Sequence, residues 1–380
     1  MQVNDIHTLI AEALADFAEP DGGVVAGIQP STTFQRDSDH ELLGDFIYRR
    51  NGSPTVSHAE SALTTIDGGE DGLLFSSGMA AFTCFMAALP RGARIVAPRV
   101  MYHGAQDWLF RLHERGDVDL ALFNDISAEG LAEALDGGAD LIWIETPVNP
   151  TWDVIDIRKA ASLAASAGAI LAVDSTVAPA VTTRPLTLGA DVVFQSATKY
   201  LNGHSDVTGG VLATAERNAF WEDVRSIRVS LGSVISPFEA WLLMRGLRTL
   251  GVRYERASTN ALAVAQSLEE NEKISHVLYP GLPSHHQHDV AARQMTGGFG
   301  GMLSILVNGD TEQTRRVASE AELFTSATSL GGTESLIEHR SSVEGPHSIV
   351  PENLLRISAG LESADDLVAD INQAITKAFQ

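Results

Sequence analysis

The segment Ser196-Ala-Thr-Lys199-Tyr-Leu-Asn-Gly-His-Ser-Asp206 places one lysine after two small hydroxyl residues and before a Gly-His turn. Asp174 closes an apolar run earlier in the chain. A lysine amine can form a Schiff base, hydroxyls can hold a phosphate, and a carboxylate can keep a pyridine nitrogen protonated. Together these tasks describe a site for pyridoxal phosphate (PLP). A lysine close to a core is costly unless it is paired, loses its proton or is consumed in an imine.

Ligands of open α/β sheets sit at the carboxyl ends of strands, and further polar clusters follow apolar runs here. Ser76-Ser77-Gly78-Met79-Ala80 follows the run ending at Phe75 and opens an apolar helix. Free backbone N–H groups and the helix dipole suit a phosphate there; a serine capping a core helix is the plainer alternative. The turn lacks G-x-G-x-x-G, which argues against a dinucleotide. Tyr102, in Met101-Tyr-His-Gly104, can stack on a flat ring or simply pack. Asn149, in Glu145-Thr-Pro-Val-Asn149-Pro150, can donate to a phenolate oxygen with Glu145 behind it, while the two prolines also allow a purely structural turn. Asp174-Ser-Thr176 either faces a cation such as a protonated pyridine or caps a helix.

The elements that must position these residues read as an α/β plan. Gly72–Phe75, Arg94–Ala97, Leu120–Phe123, Asp140–Ile144, Ala169–Val173 and Asp191–Gln195 are near-continuously apolar. That is the pattern of parallel strands covered on both faces. Helical segments such as Ile157 to Ala167 lie between them, so the sheet is mostly parallel. Residues 1–50 read as an N-terminal arm, with a short helix from Ile6 to Phe17 and an irregular stretch around Pro30. Residues 51–248 form a large domain and 249–380 a smaller C-terminal one. A long helical pattern, Phe238 to Leu268, joins them. The smaller domain has strand-like Gly301–Val307 and Asn353–Ser358, then a final helix, Asp365 to Phe379.

Composition narrows the function. The net charge is −23 over 380 residues and no basic run stands out, so neither nucleic acid nor an anionic membrane is an expected partner. The one cysteine, Cys84, lies in the apolar Ala80–Ala88 stretch. It allows no intramolecular disulfide, suits a reducing compartment and reads as a buried, inert thiol. No signal-peptide pattern opens the chain, and no window approaches about 18 charge-free apolar residues. A cytoplasmic enzyme is expected. His285-His286-Gln-His288-Asp289 carries metal-type side chains. Adjacent histidines point apart in most backbones and no second ligand cluster is evident, so a solvated loop and no metal are expected.

The motifs together resemble the Cys/Met-metabolism family of PLP enzymes, the trans-sulfuration group of fold type I, which holds cystathionine lyases and cystathionine γ-synthases. Tyr48-Arg-Arg50-Asn-Gly-Ser53-Pro-Thr55 looks like the family's Tyr-x-Arg-x-x-Asn-Pro-Thr motif, with Ser53 in place of the usual asparagine. Ser76–Met79, Glu145–Pro150, Asp174–Thr176 and Ser196–Asp206 also match. So do Arg245–Leu250, Gly297–Gly301, Ser329–Ser335 and Leu355–Glu362. The resemblance implies a mostly parallel seven-stranded sheet with a smaller C-terminal α/β domain. It implies that Lys199 bonds the cofactor, Asp174 pairs with the pyridine nitrogen and Tyr102 stacks on the ring. Gly78, Met79, Ser196 and Thr198 would bind the phosphate, with Thr176 and Asn149 also at the cofactor. Tyr48 and Arg50 would reach the phosphate of a neighbouring subunit, within a homotetramer of dimers that share active sites. Arg356 would clamp the substrate α-carboxylate, helped by Asn149 and by the chain at Ser329 and Leu330. Lys199 and Tyr102 would be the catalytic groups.

The substrate implied is a small amino acid containing sulfur, with cystathionine foremost, cleaved by β- or γ-elimination. The alternatives are γ-replacement, of the cystathionine γ-synthase or O-acylhomoserine sulfhydrylase type, and γ-cleavage of a guanidino-type amino acid such as canavanine. Ser329-Leu330-Gly-Gly332 resembles γ-enzymes, since β-lyases usually carry tryptophan where Leu330 stands. Tyr102-His-Gly104-Ala-Gln-Asp107 resembles the β-lyase loop. Gly104 argues against a methionine γ-lyase, whose cysteine lies near that position. Asp107, acidic where several γ-enzymes carry arginine, would receive a distal amino or guanidino group. Glu338-His-Arg340 and Glu344-Gly-Pro346 depart from the better-known members.

Overall fold

The computed structural model describes residues 5–13, 22–344 and 349–380. The first helix is seen over Ile6–Ala11; its predicted end at Phe17 and the Pro346 turn lie outside the described residues.

Seven strands form one sheet: β1 (Asp71–Phe75), β2 (Ala93–Pro98), β3 (Val118–Phe123), β4 (Leu141–Glu145), β5 (Ile170–Asp174), β6 (Val192–Gln195) and β7 (Gly210–Thr214). Their order is β1-β7-β6-β5-β4-β2-β3. Strands β2 to β6 pair in parallel, and β7 runs antiparallel to both neighbours. The six apolar runs became strands because both faces of the sheet are covered. In β4, Leu141 and Trp143 face a cluster with Phe82, Phe85 and Cys84, while Ile142 and Ile144 face the opposite cluster. Helix Pro54–Asp67 precedes β1, and helices Gly78–Ala87, His103–Glu114, Ala128–Ala134 and Ile157–Ala167 lie between the strands in sequence. The one strand of this sheet not expected from an apolar run is β7, whose Gly-Val-Leu-Ala-Thr sequence opens on glycine and ends on threonine.

A second sheet contains β8 (Ile274–Leu278), β9 (Met302–Val307), β10 (Thr325–Ser326), β11 (Leu336–His339) and β12 (Leu354–Ser358), in the order β10-β11-β12-β9-β8. Its far face packs against helices Leu250–Glu269 and Ala364–Ala378 through Val264, Leu268, Ile371 and Ile375. The helical pattern expected from Phe238 to Leu268 is two helices, Pro237–Leu247 and Leu250–Glu269. They part at Thr249, whose ψ of 5° leaves the helical region. Among the described residues no helix is long and apolar enough to cross a membrane.

This helix pair holds the Lys199 turn. Arg253 donates to the Tyr200 carbonyl at 2.9 Å and to the Gly246 carbonyl at 2.8 Å. Gly246 lies so close to the turn that a Cβ there would sit 2.2 Å from the Asn202 carbonyl oxygen. Neither backbone can retreat without breaking the Arg253 bonds. Gly246→Ala is expected to destabilise the protein by about 1–3 kcal/mol through overpacking and to lower the cofactor content of the purified protein. Thermal denaturation and absorbance of the bound cofactor check this. An unchanged melting temperature would mean that the helix can move away from the turn.

Candidate active site

A cavity opens at the carboxyl ends of β1, β4, β5 and β6, and the loops around β11 and β12 close its other side. At the end of β1, Ser77 caps the helix Gly78–Ala87 by accepting from the Ala80 N–H at 3.0 Å. The cap uses that one donor and leaves the Gly78 and Met79 N–H groups for a phosphate. The cap and the phosphate cradle are therefore compatible. A Cβ on Gly78 would lie 3.0 Å from Ser196 Oγ, so glycine lets this turn and the Lys199 turn meet.

At the ends of β4 and β5, Glu145 and Asp174 are paired in register and both are buried. Burial raises the Asp174 pKa to about 6 against the hydrogen bond it accepts from the Thr176 N–H. Burial and the Asp174 charge together push Glu145 upward. Glu145 accepts from the Tyr102 N–H at 2.7 Å and from the Asn149 N–H at 2.8 Å. It therefore organises two loops. The Thr176 hydroxyl accepts from the Ser196 N–H at 2.8 Å. The Thr198 hydroxyl is exchanged with the Gly209 backbone in both directions.

Lys199 follows β6, and its Nζ donates to Ser329 Oγ at 2.8 Å. Burial, then the nearby Arg356 charge, lowers its pKa to about 8. Ser329 has a φ of 93°, a left-handed conformation rare for a residue with a side chain. That conformation aims its hydroxyl at Lys199 and its carbonyl at Arg356, 3.0 Å from Nη2. Arg356, on β12, also donates to Asn149 Oδ1 at 3.3 Å and lies 2.7 Å from Glu338 Oε2. Leu330 is buried in the same wall. Tyr102, partly exposed, is the cap residue of the helix His103–Glu114, and its ring lies 4.8 Å from the His103 ring.

Of the residues predicted from sequence, Gly78, Met79, Tyr102, Asn149, Asp174, Thr176, Ser196, Thr198, Lys199, Ser329, Leu330 and Arg356 line this cavity. Three do not. Asp107 is exposed on the helix His103–Glu114, one turn beyond His103, and lines a separate depression with Arg99 and Arg111. Tyr48 and Arg50 are also outside it; Tyr48 is 45 % exposed, with the Arg50 guanidinium 5.6 Å from its ring. The sequence reading missed His103 and Arg340, which line the cavity, and left Glu338 unassigned. Charged residues in a strand as buried as β11 were the available signal.

The histidine loop differs from expectation. The His285 and His286 rings stack at 4.7 Å rather than pointing apart, and His286 Nε2 lies 3.2 Å from Asp153. The three side chains offer ligand atoms within 4.8 Å of one another. His285 Nδ1, however, accepts from the Gln287 N–H. The ring proton then sits on Nε2, which has no lone pair for a metal.

The cavity suits PLP on its own observations. Asp174 is a buried carboxylate that a protonated ring nitrogen would match. Lys199 is a primary amine with a lowered pKa, and a helix N-terminus with a glycine cradle faces the same space. A family profile described as Cys/Met metabolism PLP-dependent enzyme matches residues 7–376. A cystathionine gamma-synthase of Mycobacterium tuberculosis is 41% identical over 360 residues, covering 93% of this chain and 92% of that protein. A cystathionine gamma-lyase of Saccharomyces cerevisiae is 36% identical and covers 100% of this chain and 99% of its own length. The crystal structure of cystathionine gamma synthase from Xanthomonas oryzae pv. oryzae in complex with cystathionine superposes with a TM-score of 0.95 at 34% identity, over 99% of each chain. Sequence motifs, fold and cavity thus lead to one conclusion: the chain belongs to the Cys/Met metabolism PLP-dependent enzyme family, and its cofactor is pyridoxal phosphate.

Proposed function

We propose that the protein is a carbon–sulfur lyase acting on cystathionine or a closely related sulfur-containing amino acid. The observation that carries this reading is the meeting of Lys199, Asp174 and Arg356 at one cavity. The similarity to enzymes named for cystathionine supports the substrate. Leu330, where β-lyases usually carry tryptophan, favours cleavage at Cγ.

When bound, the cofactor supplies an electron sink that stabilises negative charge at the substrate Cα. The chain's own groups do the rest. Asp174 keeps the ring nitrogen protonated. The first-turn N–H groups of Gly78 and Met79, with Ser196 and Thr198, would hold the phosphate, and Asn149 and Thr176 would flank the ring. Arg356 holds the substrate α-carboxylate, and Asn149 and Ser329 orient that guanidinium. The Lys199 amine, at the cavity wall beside Arg356 and Ser329, would take the Cα proton. For a leaving group at Cγ it also relays a proton from Cβ. Tyr102, which lines the cavity, would stack on the ring and give a proton to the departing sulfur; burial raises its phenol pKa, which keeps that proton available.

The same reading divides the chain into an arm (1–50), a large domain (51–248) and a small domain (249–380). It assembles four chains as two dimers in the cytoplasm, with Tyr48 and Arg50 reaching the neighbouring subunit's phosphate. The exposed Tyr48 ring and the single buried cysteine support these points.

Lys199→Ala is expected to cut turnover of cystathionine by roughly 10²–10⁴-fold or more. Arg356→Ala should instead raise KM about 10- to 100-fold, the scale of charge-assisted hydrogen bonds to a carboxylate. Retained turnover in the lysine variant would sink the assignment. A substrate panel of cystathionine, homocysteine, methionine, O-acylhomoserines with cysteine, and canavanine separates the alternatives by product. For cystathionine alone, 2-oxobutyrate means cleavage at Cγ and pyruvate cleavage at Cβ. Cystathionine formed from an O-acylhomoserine means replacement, and homoserine from canavanine means a guanidino substrate.

The lowered Lys199 pKa has a direct readout in the cofactor-free protein. Only the unprotonated amine attacks the aldehyde, so the loading rate should rise with pH and level off above about 8. Stopped-flow absorbance across pH 6 to 10 measures it. A rate still climbing steeply at the top of that range would mean that the amine titrates like an ordinary lysine, near 10.4.

A further inference from the structure

Glu338 and Arg340 are two residues apart at the end of β11 and share one face. Glu338 stands opposite Arg356 in the antiparallel register of β11 with β12. Four charged side chains meet there, all nearly out of water: Glu338, Arg340, Glu344 and Arg356. Glu338 Oε2 is 2.9 Å from Arg340 Nη1 and 2.7 Å from Arg356 Nη2. Arg340 has a second carboxylate, Glu344, 2.7 Å from its Nε. Its Nη2 is 3.0 Å from His103 Nδ1, beside Tyr102.

The two guanidiniums and two carboxylates cancel in charge, but they are not shared evenly. Among the described residues, Arg340 pairs with Glu344 and part of Glu338, whereas Arg356 pairs with only the remaining part of Glu338. Were Arg340 absent, Glu338 would be the full counter-ion of Arg356. An incoming carboxylate would then meet a pair already neutralised. The network is also a poor device for stability alone. Buried ion pairs gain little over apolar packing, and Glu338 Oε1 is buried without a hydrogen-bond partner, which is costly in a dry site.

We propose that Arg340 is a positioning residue that sets the carboxylate affinity of Arg356 by drawing Glu338 away from it, with Glu344 opposing that pull. The inference rests on reading Arg356 as the α-carboxylate clamp. It makes the pair Arg340 and Glu344 a control on how strongly the site selects amino acids over simple amines.

The test uses the holoenzyme and two probes, glycine and methylamine. Both displace Lys199 from the cofactor, but only glycine brings a carboxylate. Apparent affinities come from the absorbance change of the bound cofactor, counted on the unprotonated amine. The wild type should prefer glycine. Arg340→Met should lower that preference at least about tenfold, the scale of one charge-assisted hydrogen bond, and leave methylamine unchanged. Adding Glu338→Gln to Arg340→Met should restore it, because the competing carboxylate is gone. Glu344→Gln alone should raise the preference, by roughly threefold for a partly screened charge.

A structural role would weaken both probes together, or would not be rescued by Glu338→Gln; either result overturns the proposal. If Arg340→Met does not fold, Glu344→Gln decides: a raised preference supports it, and an unchanged or lowered one overturns it. A wild type without preference for glycine would instead refute the Arg356 clamp, on which this inference stands. The substrate panel does not enter, so failure of the cystathionine reading leaves the result intact.

Discussion

A carboxylate stripped of water must meet a cation, gather hydrogen bonds or give up its charge. The cavity is organised by that requirement. The sheet is covered on both faces, so the carboxyl ends of β4, β5 and β6 lie in a dry environment. One cause then shifts two groups in opposite directions: Asp174 is raised to about 6 and Lys199 lowered to about 8. A protonated ring nitrogen answers the first shift and an imine the second, so one cofactor relieves both. Asp67 is a useful contrast. It is equally buried and is raised to about 7, yet it is met by the Gln195 amide at 3.0 Å. That carboxylate is satisfied internally. Asp174 opens onto space.

The second requirement is that two sheets stay in register with each other. Arg356 and Glu338 come from the second sheet, while Asn149 and Lys199 come from the first. The Trp152 indole N–H donates to Ser304 Oγ at 2.8 Å, and Ser304 donates to the Pro150 carbonyl at 2.8 Å. These bonds tie β9 to the turn that carries Asn149. Glu145 fixes that same turn and the Tyr102 loop through two backbone N–H groups. Ser329 spans both sides, with its hydroxyl on Lys199 and its carbonyl on Arg356. Its left-handed backbone costs of order 1 kcal/mol, and that strain is offset by two contacts that a relaxed turn would not make together.

What the sequence made legible follows from the same physics. The six predicted strands of the large sheet were visible because burial on both faces demands continuous apolar runs. Lys199 and Asp174 stood out because polar chemistry at the ends of such runs needs a reason. By contrast, β7 opens on Gly210 and ends on Thr214, and β11 carries Glu338 and His339, charged or polar side chains that break the apolar pattern of a buried strand. The break at Thr249 was hidden because apolar periodicity continues on both sides of it. Asp107 was read from its spacing to Tyr102, without the helix that carries it. That residue lies one turn past His103, about 6 Å further along the axis, which carries it out to solvent. Arg340 was legible only as a departure from relatives, since its partners come from β11, the short helix Ser341–Glu344 and the start of the helix His103–Glu114.

Under the proposed roles, substrate binding also changes the strength of the base. Arg356 is the leading charge that lowers the Lys199 pKa. A substrate carboxylate bound to Arg356 offsets that positive charge. The Lys199 amine then holds a proton more tightly once the substrate is in place, and it is at that moment that it must take one from Cα. Before binding, the lower pKa leaves a larger share of the amine unprotonated and able to bond the cofactor. The two states need opposite proton affinities from one nitrogen, and the carboxylate of the substrate switches between them. Glu338 and Arg340 set how large that switch is, because they fix how much positive charge Arg356 shows to Lys199 in the first place.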